Sequence, residues 1–256
     1  MYFIDVQGTL ISDDTRLPIE GAIEFIDYLN TTKTPYVVIT NNTKHTSEEF
    51  LKYLNSIGFN IPATNYLDPF SMLTKSLTAK NIVAFGQISF LEVLQSLGYT
   101  LDTKNPQALV ISISKDYTNE DYANMIEYAL KGIDIIGMHE TSIYAKDGKK
   151  YPGVGAILQL VSFATNRNYT VVGKPSVDFY TKAKQMLGCE FEDITIISDD
   201  MIGDIIGAQK LGIKGVFVLS GKIKDANEVL PTLEATQQPK EVYNNIGEYY
   251  WKMKHN

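Results

Sequence analysis

The 256-residue chain has one cysteine, Cys189, and no long run of apolar residues. A single cysteine excludes an internal disulfide and is typical of a protein kept in a reducing compartment. A membrane-spanning helix needs about 18 or more consecutive apolar residues, so no membrane span is expected. The first residues lack the basic and apolar segments of a secretion signal. These absences predict a cytoplasmic protein with no membrane partner.

Positive charge is also scarce. The chain has 23 Lys and Arg against 30 Asp and Glu, which gives a formal net charge of -7 and a pI near 5.0. Because binding to a phosphate backbone needs a basic surface, these values argue against a nucleic-acid partner. Hydrophobic residues make up 44% of the chain, enough for a globular protein to bury a core.

The chain does contain short apolar segments that alternate with helical patterns. Residues 2–6, 36–40 and 194–198 are rich in β-branched and aromatic residues, which favours buried strands. Buried strands that alternate with helices are typical of a parallel sheet covered on both faces. The sequence therefore predicts an α/β fold.

A second alternating series of strands and helices starts after residue 80. It includes a polar turn at 146–150, and the first series resumes with a predicted strand at 170–173. We therefore predict a discontinuous core formed by 1–79 and 171–256, with an inserted α/β domain at 80–170.

Polar side chains follow the predicted strands of the first series. In open parallel sheets the carboxyl ends of the strands meet at one edge, where ligands bind. We expect the following residues to lie there: Asp5, Thr40, Asn41, Lys174, Asp199, Asp200 and Asp204.

Together these residues suit the chemistry of a phosphate ester. Asp5 and Asp199 offer the oxygen ligands that Mg²⁺ prefers. Mg²⁺ and the Lys174 ammonium would neutralise a phosphate dianion, and the Thr40 hydroxyl would bind one of its oxygens. A carboxylate beside the metal can also attack phosphorus. Each residue alone also fits an ordinary turn, helix cap or solvated loop. The prediction therefore depends on all of them occurring together, in one order, at predicted strand ends.

Four segments of the sequence resemble the four motifs of the haloacid dehalogenase superfamily. They are Asp5-Val6-Gln7-Gly8-Thr9-Leu10, Thr40-Asn41-Asn42, Gly173-Lys174-Pro175, and Ser198-Asp199-Asp200 with Asp204. The insertion, with Pro152-Gly153-Val154-Gly155, resembles the large C2-type cap of the NagD-like, nitrophenylphosphatase-like branch. The resemblance implies a doubly wound, Rossmann-like core with a mobile cap. It also implies Mg²⁺-dependent hydrolysis of a small phosphorylated metabolite.

The resemblance also implies roles at the metal. Asp5 would be the nucleophile and a metal ligand, and Asp199 the other carboxylate ligand. Gln7 would give its backbone carbonyl to the metal. Asp200 and Asp204 would be metal-side acids or would act behind the ligands.

Further roles concern the substrate and the assembly. Thr40, Asn41 and Lys174 would hold the phosphoryl group, and Asp200 and Asp204 would orient Lys174. Because the branch often oligomerises through its cap, a homo-oligomer is also expected. Substrate choice would depend on the closing cap, and the candidate residues there are His139, Glu140, Tyr144 and Tyr151.

Gln7 departs from the family's pattern. The family's phosphatases carry a second Asp at this position, which protonates the leaving oxygen and later activates water. A Gln side chain cannot exchange a proton at ordinary pH. Since general acid–base catalysis contributes about 10²–10⁴ in rate, we expect weakened hydrolysis, least so for aryl or acyl phosphates. Ser198, which replaces the usual Gly of the fourth motif, is expected to be harmless.

Two other functions remain open on the same residues. Gln7 also fits a binding or regulatory protein that kept the phosphate pocket without turnover. A receiver-like phosphoacceptor uses Asp, Thr and Lys at strand ends too. Receivers, however, are about half as long and carry their paired acids near the first strand, so this alternative leaves the insertion unexplained.

Overall fold

A computed structural model describes residues 1–146 and 149–255. The strands within these residues are β1 (Tyr2–Asp5), β2 (Tyr36–Ile39), β3 (Tyr66–Leu67), β4 (Asn81–Phe85), β5 (Thr100–Leu101), β6 (Ala108–Ile111), β7 (Asp134–Gly137), β8 (Ile143–Lys146), β9 (Lys149–Pro152), β10 (Tyr169–Val171), β11 (Thr195–Ser198), β12 (Lys214–Val218) and β13 (Glu241–Tyr243). The helices are α1 (Ala22–Thr32), α2 (Ser47–Ser56), α3 (Pro69–Ser76), α4 (Ile88–Ser96), α5 (Asn119–Leu130), α6 (Val154–Thr165), α7 (Val177–Leu187), α8 (Ile206–Gln209) and α9 (Ile246–His255).

The described chain divides into two compact units. The first unit comprises 1–40, 48–67 and the described residues from 180 onward, and the second comprises 41–47 and 68–179. The predicted insertion at 80–170 falls inside the second unit. Its function as a cap, and its predicted limits, stay predictions.

The first unit is built on a six-stranded sheet in the order β13-β12-β11-β1-β2-β3, in which every pair of neighbours is parallel. From β1 the chain adds strands on one side, and β11 to β13 then extend the other side. The order therefore reverses between β1 and β11. In doubly wound sheets such a reversal opens a crevice at the carboxyl ends of the two strands, where ligands bind.

Helices cover both faces of β1. Successive side chains of a strand point to opposite faces, so Phe3 and Ile4 contact different layers. Ile4 belongs to a buried cluster with residues of α1 and α9. Phe3 stacks on Tyr180 of α7, with 6.1 Å between ring centroids. This double burial explains why the predicted strands are apolar throughout, and the predicted Rossmann-like α/β fold is confirmed.

The second unit has its own five-stranded sheet in the order β10-β7-β6-β4-β5, again with parallel neighbours. One buried cluster joins this sheet to α3 and α4, and another joins it to α5 and α6. The unit therefore has a core of its own. A separate antiparallel hairpin pairs β8 with β9.

The predicted strand at 170–173 is assigned to the wrong sheet in the sequence analysis. The structure forms β10 at Tyr169–Val171, and β10 pairs with β7 of the second sheet. Hydrophobic periodicity identifies a strand but does not identify the strand it pairs with. Lys174 therefore follows a strand of the second unit.

The strands predicted at 2–6, 36–40 and 194–198 are present as β1, β2 and β11, each one residue shorter than predicted. The short strands β3, β5 and β13 were not predicted, because two or three residues carry too little periodicity. The predicted polar turn at 146–150 overlaps the end of β8 and the start of β9, and its central residues Asp147 and Gly148 lie outside the described residues. Among the helices of the described ranges, none is long and apolar enough to cross a membrane.

Candidate active site

Three predicted site residues lie at the carboxyl ends of adjacent strands in the first unit. Asp5 is the last residue of β1, Thr40 directly follows β2, and Asp199 directly follows β11. Because β1 lies between β11 and β2, Asp5 is the middle member. All three side chains are buried, with 5% or less of each residue exposed. The reversal of strand order thus brings two buried carboxylates together.

Thr9 connects the first and the third of these strand ends. Its hydroxyl donates to Asp5 Oδ2 at 3.5 Å and accepts from the Asp199 backbone N–H at 3.1 Å. The turn that presents Thr9 depends on Gly8, whose φ of +75° is strained for other residues. The sequence carries no signal for this role of Thr9, since a Thr after a Gly is also typical of an ordinary turn.

Backbone surrounds the Asp199 carboxylate on two sides. A Cβ atom added at Gly8 or at Gly221 would overlap this carboxylate. The backbone N–H of Lys222 donates to Asp199 Oδ2 at 2.8 Å. The Gly221 segment follows β12, so three strand ends together fix the position of one carboxylate.

Burial of Asp199 has an electrostatic cost. Burial and the negative charge of Asp5 raise the pKa of Asp199 well above its ordinary value, while Lys222 partly opposes that rise. Two acids in one buried site repel each other unless a cation compensates. Carboxylate oxygens are the ligands that a hard divalent cation such as Mg²⁺ prefers, so the two buried acids fit such a cation.

The predicted metal site uses only two acidic side chains. Among the described residues, no group of three or more His, Cys, Asp or Glu side chains is arranged to hold a metal ion. The predicted set needs only the carboxylates of Asp5 and Asp199, with the backbone carbonyl of Gln7. Water molecules supply the remaining ligands of Mg²⁺ in many sites of this kind.

Ser198 orders the acids that follow β11. Its hydroxyl donates to Asp204 Oδ2 at 2.8 Å and accepts from the Asp200 backbone N–H at 3.1 Å. The Asp200 side chain accepts from the Gly203 backbone N–H at 2.8 Å and begins a π-helical turn at Met201–Ile205. The short helix α8 directly follows this π-helical turn. A Gly at residue 198 would lack both contacts of this hydroxyl, and the expectation that the replacement is harmless stays a prediction.

Gln7 contacts Thr40 directly. The Thr40 hydroxyl donates to Gln7 Oε1 at 2.9 Å. A hydroxyl has one proton, so Thr40 cannot donate to Gln7 and to a phosphoryl oxygen at the same time. The other end of the Gln7 amide has two N–H donors, which an Asp at this position would lack.

Lys222 is a charged residue of this group that the sequence analysis did not predict. Its ammonium forms an ion pair with the Asp200 carboxylate. Burial alone would lower the pKa of Lys222, but the charges of Asp200 and Asp199 outweigh burial and raise it. A lysine after a Ser-Gly turn resembles any solvated lysine, so the sequence alone carries no signal for this contact.

Lys174 and Asn41 lie in the second unit, where they bind each other. The Lys174 backbone N–H donates to Asn41 Oδ1 at 2.9 Å, and Asn41 Nδ2 donates to the Lys174 carbonyl at 3.3 Å. The Lys174 carbonyl also accepts from the Glu140 backbone N–H at 3.1 Å. Lys174 is 2% exposed. Its backbone is thus held in place, while its predicted role beside Asp5 stays a prediction.

The predicted cap residues all lie in the second unit. Glu140 accepts a hydrogen bond from the Tyr169 hydroxyl at 2.6 Å, and burial and this carboxylate raise the pKa of Tyr169 to about 12. Tyr144 and Tyr151 face each other across the β8–β9 hairpin, with ring centroids 5.5 Å apart. His139 is buried. Their contacts with a substrate stay predictions.

Two family models match the chain. A model described as haloacid dehalogenase-like hydrolase matches residues 2–100, and a HAD-hydrolase-like model matches residues 171–249. Together they cover more than half of the chain and both halves of its first sheet. The chain belongs to the haloacid dehalogenase superfamily. The predicted superfamily is therefore confirmed.

Curated relatives in this superfamily are similar over most of their length. Haloacid dehalogenase-like hydrolase domain-containing protein 2 of Bos taurus is 29% identical over 230 residues, which is 88% of this chain and 86% of the relative. Phospholysine phosphohistidine inorganic pyrophosphate phosphatase of Homo sapiens is 25% identical, over 91% of this chain and 87% of the relative.

Solved structures of the superfamily share the fold. The p-nitrophenyl phosphatase of Archaeoglobus fulgidus has a TM-score of 0.82 at 22% identity and covers 98% of both chains. NagD of E. coli K-12 has a TM-score of 0.76 at 20% identity and covers 96% of both chains. A glycerol phosphate phosphatase of Mycobacterium tuberculosis, solved in complex with calcium, has a TM-score of 0.72 at 19% identity and covers 96% of this chain and 73% of its own. At these identities the likeness shows the fold alone, and membership of the NagD-like branch stays a prediction.

The Thr9 hydroxyl can be tested by replacement with Val, which has nearly the same shape. Thr9→Val removes the acceptor for the buried Asp199 N–H and the donor to Asp5. We expect a loss of about 1–3 kcal/mol in the free energy of unfolding, measured by urea denaturation. Thr15→Val, at an exposed position in the following loop, is the matched control. Equal stability of Thr9→Val and the wild type would contradict the bridging role.

Asp199→Asn removes one of the two buried charges and keeps an oxygen to accept from the Lys222 N–H. In EDTA at neutral pH we expect this variant to be more stable than the wild type by about 1 kcal/mol or more. Because the folded-state pKa of Asp199 is raised, the stability that it contributes is present at low pH. That contribution is lost as pH rises through the folded-state value.

Urea denaturation of both proteins in EDTA from pH 5 to pH 8 measures this effect. The wild type should lose stability relative to Asp199→Asn as pH increases over that range, starting above the ordinary carboxyl value near 4. A constant difference across the range would show that Asp199 has an ordinary pKa.

Proposed function

We propose that the chain is a Mg²⁺-dependent phosphatase that hydrolyses a small phosphate ester through an aspartyl phosphate on Asp5. Similarity to proteins named as phosphatases supports the reaction class. The observation that carries the proposal is the placement of Asp5 between Asp199 and Thr40 at the reversal of strand order. A nucleophile, a second carboxylate and a hydroxyl donor are all buried there, which is the set that phosphoryl transfer needs.

In the proposed first step, an Asp5 carboxylate oxygen forms a bond to phosphorus while the bond to the leaving oxygen breaks. Water then attacks the phosphorus of the aspartyl phosphate, which releases inorganic phosphate and restores the carboxylate. Thr9 holds the second oxygen of Asp5 through its hydroxyl, which fixes the orientation of the carboxylate. When bound, Mg²⁺ would supply the positive charge that offsets Asp5, Asp199 and the phosphoryl oxygens.

Gln7 weakens both steps in this proposal. Its amide cannot protonate the leaving oxygen, which must depart as an anion or take a proton from water. It cannot activate the water of the second step either. Substrates whose leaving oxygen is a stable anion need the least help, so aryl and acyl phosphates fit the proposal best.

The nucleophile is tested by Asp5→Asn. We expect metal-dependent phosphate release from p-nitrophenyl phosphate and acetyl phosphate to fall below detection, because an amide side chain cannot form the aspartyl phosphate. The measurement is inorganic phosphate released by purified protein with Mg²⁺ and with EDTA. Asp14→Asn, at an exposed carboxylate in the following loop, should retain full activity. Hydrolysis that survives in Asp5→Asn would exclude Asp5 as the nucleophile.

The missing acid is tested by Gln7→Asp. We expect turnover of alkyl phosphates such as glycerol phosphate to rise by about 10²–10⁴, with a smaller gain on aryl phosphates. Gln7→Asn is the matched control, because Asn and Asp have the same size but Asn cannot transfer a proton. Equal rates for the Asp and Asn variants would show that proton transfer at residue 7 does not limit hydrolysis.

A second function is favoured by the contact between Gln7 and Thr40. With its oxygen bound to the Thr40 hydroxyl, Gln7 adds amide donors that suit a phosphate ligand and no group for turnover. The second candidate is therefore a phosphate-binding or regulatory protein. Calorimetry with inorganic phosphate and Mg²⁺ would then detect binding, while a broad panel of phosphate esters would give no release. Metal-dependent turnover of any of them would exclude this candidate.

The natural ligand in either case is proposed to be a small phosphorylated metabolite in the cytoplasm. Gel filtration with light scattering would show whether the chain forms the homo-oligomer expected from its branch.

A further inference from the structure

Lys222 contacts two consecutive acids with two different groups. Its backbone N–H donates to Asp199 Oδ2 at 2.8 Å, and its ammonium pairs with the Asp200 carboxylate. Gly221 makes the first contact possible by letting the backbone approach the carboxylate. The lysine is thus held by its main chain beside the buried acids, and its side chain brings a positive charge to them.

Acidic side chains outnumber basic ones around Lys222 in the first unit. The Asp199 carboxylate is buried close enough to Asp5 for each to raise the energy of the other's charged form. Asp200 and Asp204 follow on the next turn and also act on Lys222. An ordinary lysine is already charged at neutral pH, and the ion pair with Asp200 places that charge beside the acids.

We propose that the Lys222 ammonium is the resident counter-cation of these acids, which stabilises the metal-free protein and weakens the binding of a divalent cation. This inference rests on the proposed divalent-metal dependence. It assigns Lys222 as a positioning residue that acts through Asp200 and through its charge.

The direction of the effect follows from Coulomb's law. A positive charge beside the acids stabilises them when no metal is present, and it repels a divalent cation that binds there. The ion pair also holds Asp200, which must give up part of that contact to face a metal or a metal-bound water. The Lys222 side chain is 43% exposed, so solvent and salt reduce the effect. We expect about a tenfold change in affinity from one such charge at low salt.

Lys222→Met removes the positive charge of residue 222 and keeps its backbone hydrogen bond to Asp199. Methionine keeps an unbranched apolar side chain of similar length, and the N–H to Asp199 is unchanged. Lys222→Arg keeps the charge. Lys224→Met removes one positive charge from the same loop, where the Lys224 ammonium binds the Ser220 carbonyl at 2.6 Å. This last variant controls for net charge.

The experiment is a calorimetric titration of each full-length protein with Mg²⁺, without substrate and at low salt. We expect Lys222→Met to bind Mg²⁺ about tenfold more tightly than the wild type. Lys222→Arg and Lys224→Met should bind like the wild type. Raising the salt concentration should reduce the difference between Lys222→Met and the wild type.

Urea denaturation in EDTA provides a second readout. Without metal, Lys222→Met should unfold at a lower urea concentration than Lys224→Met, because the acids lose their counter-charge. Saturating Mg²⁺ should then raise the midpoint of Lys222→Met by more than that of the wild type. If Lys222→Met is too unstable to titrate, Lys222→Gln replaces it in both measurements.

The outcomes separate this inference from the function on which it rests. Equal Mg²⁺ affinity of the wild type and Lys222→Met overturns the inference and leaves the metal site intact. Weaker binding by Lys222→Met also overturns it, since Lys222 would then assist the metal. A failure of every variant to bind Mg²⁺ contradicts the proposed metal dependence itself.

Discussion

The first unit is organised by the approach of two buried carboxylates, Asp5 and Asp199, at the ends of adjacent parallel strands. Neither charge could be buried there without compensation, because each raises the energy of the other. The surrounding residues meet that need in different ways. Thr9 links the two strand ends, and Gly221 lets the backbone N–H of Lys222 reach the Asp199 carboxylate. The same repulsion that destabilises the metal-free protein would favour a bound cation. Under the proposed function, this place gives up stability in exchange for binding a metal.

Gln7 and Lys222 modify this site without changing the strands that form it. Gln7 removes an exchangeable proton from the edge of the site and engages the Thr40 hydroxyl. Lys222 adds a positive charge to the acidic side. As proposed, the first change acts on turnover and the second on the affinity for a cation, so experiments can separate the two effects. Neither side chain changes the path of the backbone, so a comparison of folds does not detect either effect.

The sequence predicted the parts of the site that depend on strand position. Runs of β-branched residues marked β1, β2 and β11, and parallel pairing then determined where Asp5, Thr40 and Asp199 lie. Contacts between distant segments could not be predicted in this way. Examples are the Thr9 link to Asp199 and the Lys222 pair with Asp200, since each depends on how two loops meet. The partner of β10 was missed for a related reason, because periodicity within a strand contains no information about its neighbour.

The fold that this chain shares with its relatives therefore says less about turnover and cation affinity than the side chains of Gln7 and Lys222 do. Solved structures with this fold share the arrangement of the backbone. Under the proposed function, hydrolysis of a phosphate ligand depends on a proton at residue 7, and we propose that the charge at residue 222 sets how tightly a cation is held. Both are properties of side chains that a backbone comparison does not measure. A relative with the same backbone can differ from this protein in turnover by the full contribution of general acid–base catalysis, about 10²–10⁴.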